Sequence, residues 1–226
     1  MALVGSVIGC VESVDGDGMR TQETRDARGF AQVNARGGLD VTISEGDFSV
    51  VVDIDQNLQK YVTTSVRNDT LTVEVDDVNL GTKVDGPHVI ISMPELSDVE
   101  TTGDGELIVN EFDAEVPLSL ELTGDGSLFW TGRATDLDVV LAGRGNMSIE
   151  GTAEDTEFVL RGDGTIDARD LVADSARIAL DGTGSLSLTV NGRVDATAAN
   201  GGSIDLYGRV VEGDIDLSTG ATIEAH

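Results

Sequence analysis

The chain has 226 residues, 39% apolar and only 4% aromatic, with 28 glycines, 42 acidic against 14 basic side chains and a net charge of −28. That length buries about 70% of the unfolded surface, enough for a core without disulfide staples, and the single cysteine rules out an intramolecular bridge. The charge argues against nucleic acid and against an anionic membrane surface, both of which recruit basic side chains; an acidic surface of this kind suits a salty medium or a soluble acidic protein.

Residues 1–23 read as a tether or the remnant of a lipoprotein signal. Ala2–Gly9 is a short apolar run, and Val7-Ile8-Gly9-Cys10 is similar to a bacterial lipobox, in which the cysteine is lipidated. No basic residue precedes it, and no run reaches the roughly 18 apolar residues of a membrane-spanning helix. Cys10 is therefore a candidate lipid anchor, with a small buried thiol or a frayed tail as the plainer reading.

Residues 24–96 form a less regular β-rich half. Alternation places strands near 30–35, 39–44, 48–55, 61–67, 70–75 and 88–92. Asn68-Asp69 between two alternating runs is a hairpin signal. Pro94 closes the last strand because it cannot donate to a ladder. This half either begins the stack described next or caps its end.

From residue 97 to 226 the chain repeats. Gly-x-Gly motifs begin at positions 103, 124, 143, 162 and 182, and weaker versions follow at 200 and 219, so the steps are 21, 19, 19, 20, 18 and 19. Around each motif the apolar residues alternate with period two. Leu118, Leu120 and Leu122 precede one corner, and Leu128 and Trp130 follow it. One repeat later the same places hold Leu137, Val139 and Leu141, then Met147 and Ile149. A unit this short cannot bury a face alone and must stack on its neighbours. Glycine allows a sharp corner and a close approach to the next coil; without a strand-to-helix context these motifs are corners and not phosphate loops. The expected fold is all-β, a right-handed parallel β-helix (β-solenoid) with coils of ~19 residues.

Stacking aligns the outward residues in columns. Five residues before each corner come Asp98, Ser119, Asp138, Glu157, Arg177, Asp195 and Asp214; between the glycines come Asp104, Asp125, Arg144 and Asp163. Like charges stacked in this way destabilise. Asp138 with Glu157, or Asp195 with Asp214, is a candidate Ca²⁺ site, since Ca²⁺ takes oxygen ligands; the favoured reading is a salt-screened face with no cofactor. After the corner the outward column runs Ile108, Phe129, Ser148, Asp167, Ser187, Asp205, Glu224. Ile108 and Phe129 are apolar neighbours, read as covered by a loop or by the N-terminal half, or else as a surface contact patch. The only histidines are His88 and His226, too few for a zinc site and without a catalytic setting around them.

Several segments carry a family resemblance. Gly29-Phe30-Ala31-Gln32-Val33, Gly38-Leu39-Asp40-Val41-Thr42-Ile43, Asn57-Leu58, Thr70-Leu71-Thr72-Val73, Met93-Pro94-Glu95-Leu96 and the serial Gly-x-Gly corners resemble the "putative auto-transporter adhesin, head GIN domain" family over about residues 28–223. The resemblance implies a secreted or lipid-anchored bacterial protein with a right-handed β-helical fold and an adhesive role, and it brings no catalytic residues. The functional expectation is a non-enzymatic, extracytoplasmic, adhesin-like module of the cell envelope, contacting an envelope protein or polysaccharide and able to form homo-oligomers through its solenoid ends. A carbohydrate-active enzyme on a β-helix and a Ca²⁺-binding structural protein are the alternatives.

Overall fold

The computed structural model describes residues 12–76, 78–81, 86–114 and 116–226. It is a β-solenoid of about seven turns. Before each corner, strands Asp98–Gly103 and Leu118–Gly124 pair in parallel, with Asp98 opposite Ser119 and Gly103 opposite Gly124. The next three strands, Ser127–Gly143, Asn146–Gly162 and Thr165–Asp181, are each 17 residues long. Each runs from one corner to the next, so the return segment, expected as a short connection, is itself laddered: Gly132 faces Gly151, and Ala134 faces Ala153. The coils therefore have three sides. We call the side before the Gly-x-Gly corner face A and the side after it face B.

The corner glycines are explained by contact between coils. The Gly124 carbonyl oxygen accepts N–H bonds from Arg144 (3.1 Å) and Gly145 (2.9 Å) of the next coil. This approach leaves no room for a side chain: a methyl on Gly143 would strike the Gly124 oxygen, and Gly143 also has φ +131°, a region costly for other residues.

The N-terminal half both begins the stack and caps it. Strands Gln32–Arg36 and Asp40–Glu45 form a full coil, pairing in parallel with Asp98–Gly103 and Glu106–Ala114 across the corner Gly37-Gly38. Thr70–Val75 and His88–Met93 supply a further coil beyond it, although they come later in the chain. Antiparallel strands then close that end. Val62–Arg67 folds on Thr70–Val75 through the Asn68-Asp69 turn, and both turn residues have positive φ (49° and 63°), as the tightest hairpin turn requires. Ser49–Asp55 pairs with His88–Met93 on face B.

Part of the expected tether is structured. Glu12–Asp15 pairs with Val78–Gly81, and Arg20–Arg25 adds to the edge of Ser49–Asp55. The sequence Arg-Thr-Gln-Glu-Thr-Arg has no apolar alternation because this edge strand is held by backbone bonds and stays largely in water.

One continuous core fills the rod. Every inward residue named above is buried, and Trp130 is fully so, its indole N–H without a partner among the described residues.

Candidate functional site

On face B the sheet register lines up one outward row. It runs from Val51 to Ile90, then Thr42, Ile108 and Phe129. Beyond Phe129 it turns polar, through Ser148, Asp167, Ser187, Asp205 and Glu224. Phe129 is 38% exposed and Ile90 36%, while Val51 and Ile108 are half-buried. The expectation that both Ile108 and Phe129 are covered is corrected for Phe129, which is exposed, while Ile108 is half-covered. The described strands of the N-terminal half do not lie over the row; they join the same sheet edge to edge and extend it with Thr42, Ile90 and Val51. Ile90 and Val51 were missed because they lie outside the regular repeat, and only the sheet order brings them into one row with Thr42 and Ile108.

A shallow groove flanks this row, lined by Arg20, Asp40, His88, Glu106 and Ile108. Thr42 Oγ1 and His88 Nε2 lie 3.0 Å apart, within hydrogen-bond distance. Among the described residues no carboxylate hydrogen-bonds the other ring nitrogen, so the pair lacks the third member that orients a nucleophile's base.

The acidic column on face A has the expected register from Asp98 to Asp195. Asp138 and Glu157 are exposed neighbours in a groove that also holds Asp136 and Asp155. Arg177 follows Glu157 in the column. Asp214 is displaced by an irregularity after Val194, and its N–H donates to Asp195 Oδ1 at 2.7 Å. Arg193 serves both acids, reaching Asp195 at 2.6 Å and Asp214 at 3.5 Å. The Arg193 hydrogen bond holds the Asp195 carboxyl below the usual aspartate range. In the corner column Arg144 pairs with Asp125, while Thr183 Oγ1 donates to Asp163 at 2.6 Å and lowers its pKa. Asp98 goes the other way, raised chiefly by burial and opposed by its Ser119 hydrogen bond.

At the far end of the face B row, Asp205, Glu224 and His226 converge. His226 read as an isolated histidine in the sequence. The 19-residue step was the available signal, since it carries Asp205 onto Glu224 and Tyr207 onto His226.

The family model for "Putative auto-transporter adhesin, head GIN domain" matches residues 29–210. The chain belongs to this GIN-domain family. Three solved structures share the GIN-domain fold. A "putative adhesin" from Bacteroides fragilis is 18% identical, with TM-score 0.81, and the match covers 94% of this chain and all of that one. A "putative lipid binding protein" from Parabacteroides distasonis is 20% identical, with TM-score 0.77, covering 95% and 100%. A "putative adhesin" from Parabacteroides merdae is 17% identical, with TM-score 0.70, covering 96% and 100%. Comparison with curated proteins gave no match. Among the described residues no helix is long and apolar enough to cross a membrane. Cys10 lies outside the described residues.

Proposed function

We propose that this GIN domain is a non-enzymatic, adhesin-like contact module displayed outside the cytoplasm, and that it docks an envelope protein through the row Val51–Ile90–Thr42–Ile108–Phe129. The carrying observation is this partly exposed row, apolar apart from Thr42, on a chain with a net charge of −28. Contiguous apolar surface with a polar rim is the mark of an interaction site. The family name and the names of the two adhesin neighbours support the same reading. Phe129 is the one exposed large aromatic side chain among the described residues. A sugar cleft ordinarily presents several, so a protein partner is favoured over a polysaccharide.

The test is binding of the labelled chain to a cell-envelope fraction. Binding should disappear after protease treatment of that fraction, and in the double variant Ile90→Ser/Phe129→Ser. Because both side chains are partly in water, the double variant should stay folded. Protease-resistant binding would transfer the role to polysaccharide, and undiminished binding by the variant would refute the contact row.

Cys10 is the proposed lipid attachment point, supported by Val7-Ile8-Gly9 before it. In a bacterial host Cys10→Ser should move the protein from the membrane fraction to the soluble one; an unchanged distribution would refute the anchor.

A further inference from the structure

We propose that the last coil holds a site for a divalent transition ion such as Zn²⁺, formed by Asp205, Glu224 and His226. Strands Ser203–Gly208 and Thr222–Ala225 pair in parallel with Asp205 opposite Glu224. Two residues on, His226 continues the ladder, its N–H donating to the Leu206 carbonyl at 2.9 Å. The imidazole stacks on Tyr207, with centroids 4.8 Å apart and planes 18° from parallel. That stack aims Nε2 at Asp205 Oδ1, 3.2 Å away. One oxygen of each carboxylate and one ring nitrogen lie within 4.8 Å of one another.

An imidazole among stacked carboxylates sets this place apart among the described residues. Several crowded acids are served by arginine, Asp125 by Arg144, Asp167 by Arg169, and Asp195 with Asp214 by Arg193, whereas Asp138 and Glu157 on face A have neither an arginine ion pair nor an imidazole among the described residues. Asp205 and Glu224 are stacked carboxylates with no arginine or lysine ion pair among the described residues, and an imidazole stands where the guanidinium would be. A bound divalent cation offsets two stacked negative charges.

The donor set selects the ion. Ca²⁺ and Mg²⁺ take all-oxygen shells, whereas an imidazole nitrogen beside carboxylates suits Zn²⁺ and its neighbours. Three protein ligands leave a fourth position for water. Ligand atoms sit roughly 2.0–2.2 Å from Zn²⁺. The two carboxylates reach that distance by side-chain rotation, since Glu224 is exposed and Asp205 half-exposed.

The test is calorimetric titration of the chelator-treated full chain with ZnCl₂, in a background of millimolar Ca²⁺ that saturates weak carboxylate binding. One Zn²⁺ should bind per chain. His226→Ala and Glu224→Gln should each weaken it by about tenfold or more, and Asp138→Asn on face A should leave it unchanged. The metal-free melting midpoints of the two end-coil variants should match the parent, which separates lost ligation from misfolding. No Zn²⁺ binding above the Ca²⁺ background, or equal binding by His226→Ala, would overturn the site.

Discussion

Replacing Gly143 with alanine tests the physical account of the corners most directly. Its φ of +131° is strained for an L side chain, and the added methyl would sit against the Gly124 carbonyl oxygen. Relief requires moving an oxygen that accepts two inter-coil N–H bonds, from Arg144 and Gly145. Backbone strain of this kind costs about 1–3 kcal/mol. Weakening two hydrogen bonds, each contributing about 0.5–1.5 kcal/mol, adds about 1–3 more. The expected loss is therefore about 2–6 kcal/mol, or roughly 5–20 °C in melting midpoint for a chain of this size. Gly201→Ala is the control: its φ is +90°, but the nearest atom to a built Cβ is Thr183 Cγ2 at 4.0 Å. It should lose only the conformational part, about 1–2 kcal/mol. The assay is urea unfolding followed by far-UV circular dichroism and by Trp130 fluorescence; Trp130 lies on the same continuous strand as Gly143. If Gly143→Ala loses no more stability than Gly201→Ala, close packing between coils is not the reason for the repeat.

Three further outcomes follow from the same structure. Molar KCl should raise the melting midpoint, while millimolar Ca²⁺ should add no more than salt of equal ionic strength, because Arg193 already serves Asp195 and Asp214; a Ca²⁺-specific rise lost in Asp138→Asn would instead make Asp138 and Glu157 a cation site. Asp163, Asp167 and Asp195 are held below the usual aspartate range by Thr183, Arg169 and Arg193 respectively. Their contribution is complete above the unfolded value of about 3.9 and is lost as pH falls through the lower folded values, so acid titration should show stability declining below about pH 4, less steeply in Asp167→Asn; an unchanged acid limb in that variant would contradict the Arg169 assignment. Trp130, the single tryptophan, should emit at short wavelength and resist quenching by iodide, since it is fully buried; ready quenching would mean that the coil stack opens there.

The local pattern determined the solenoid. Alternation around the Gly-x-Gly corners placed Leu120, Trp130, Val139 and Ile149 inside and Asp138 and Glu157 outside, because the strand period and the 19-residue step are properties of the chain itself. The Asn68-Asp69 hairpin was legible for the same reason, since its two residues tolerate the positive φ that the turn demands. Tertiary structure decided what non-local pairing controls. It brought His88–Met93 beneath Asp40–Glu45 and so set Ile90 and Val51 in one row with Thr42, Ile108 and Phe129. It added the polar strand Arg20–Arg25, whose backbone bonds need no apolar signature, and it folded Arg193 between Asp195 and Asp214. The repeat period already contained the convergence of Asp205, Glu224 and His226, but only the stacked coil turned Tyr207 into the platform that orients the imidazole. A periodic sequence specifies which residues share a column; the order of strands across the sheet specifies which columns become a surface.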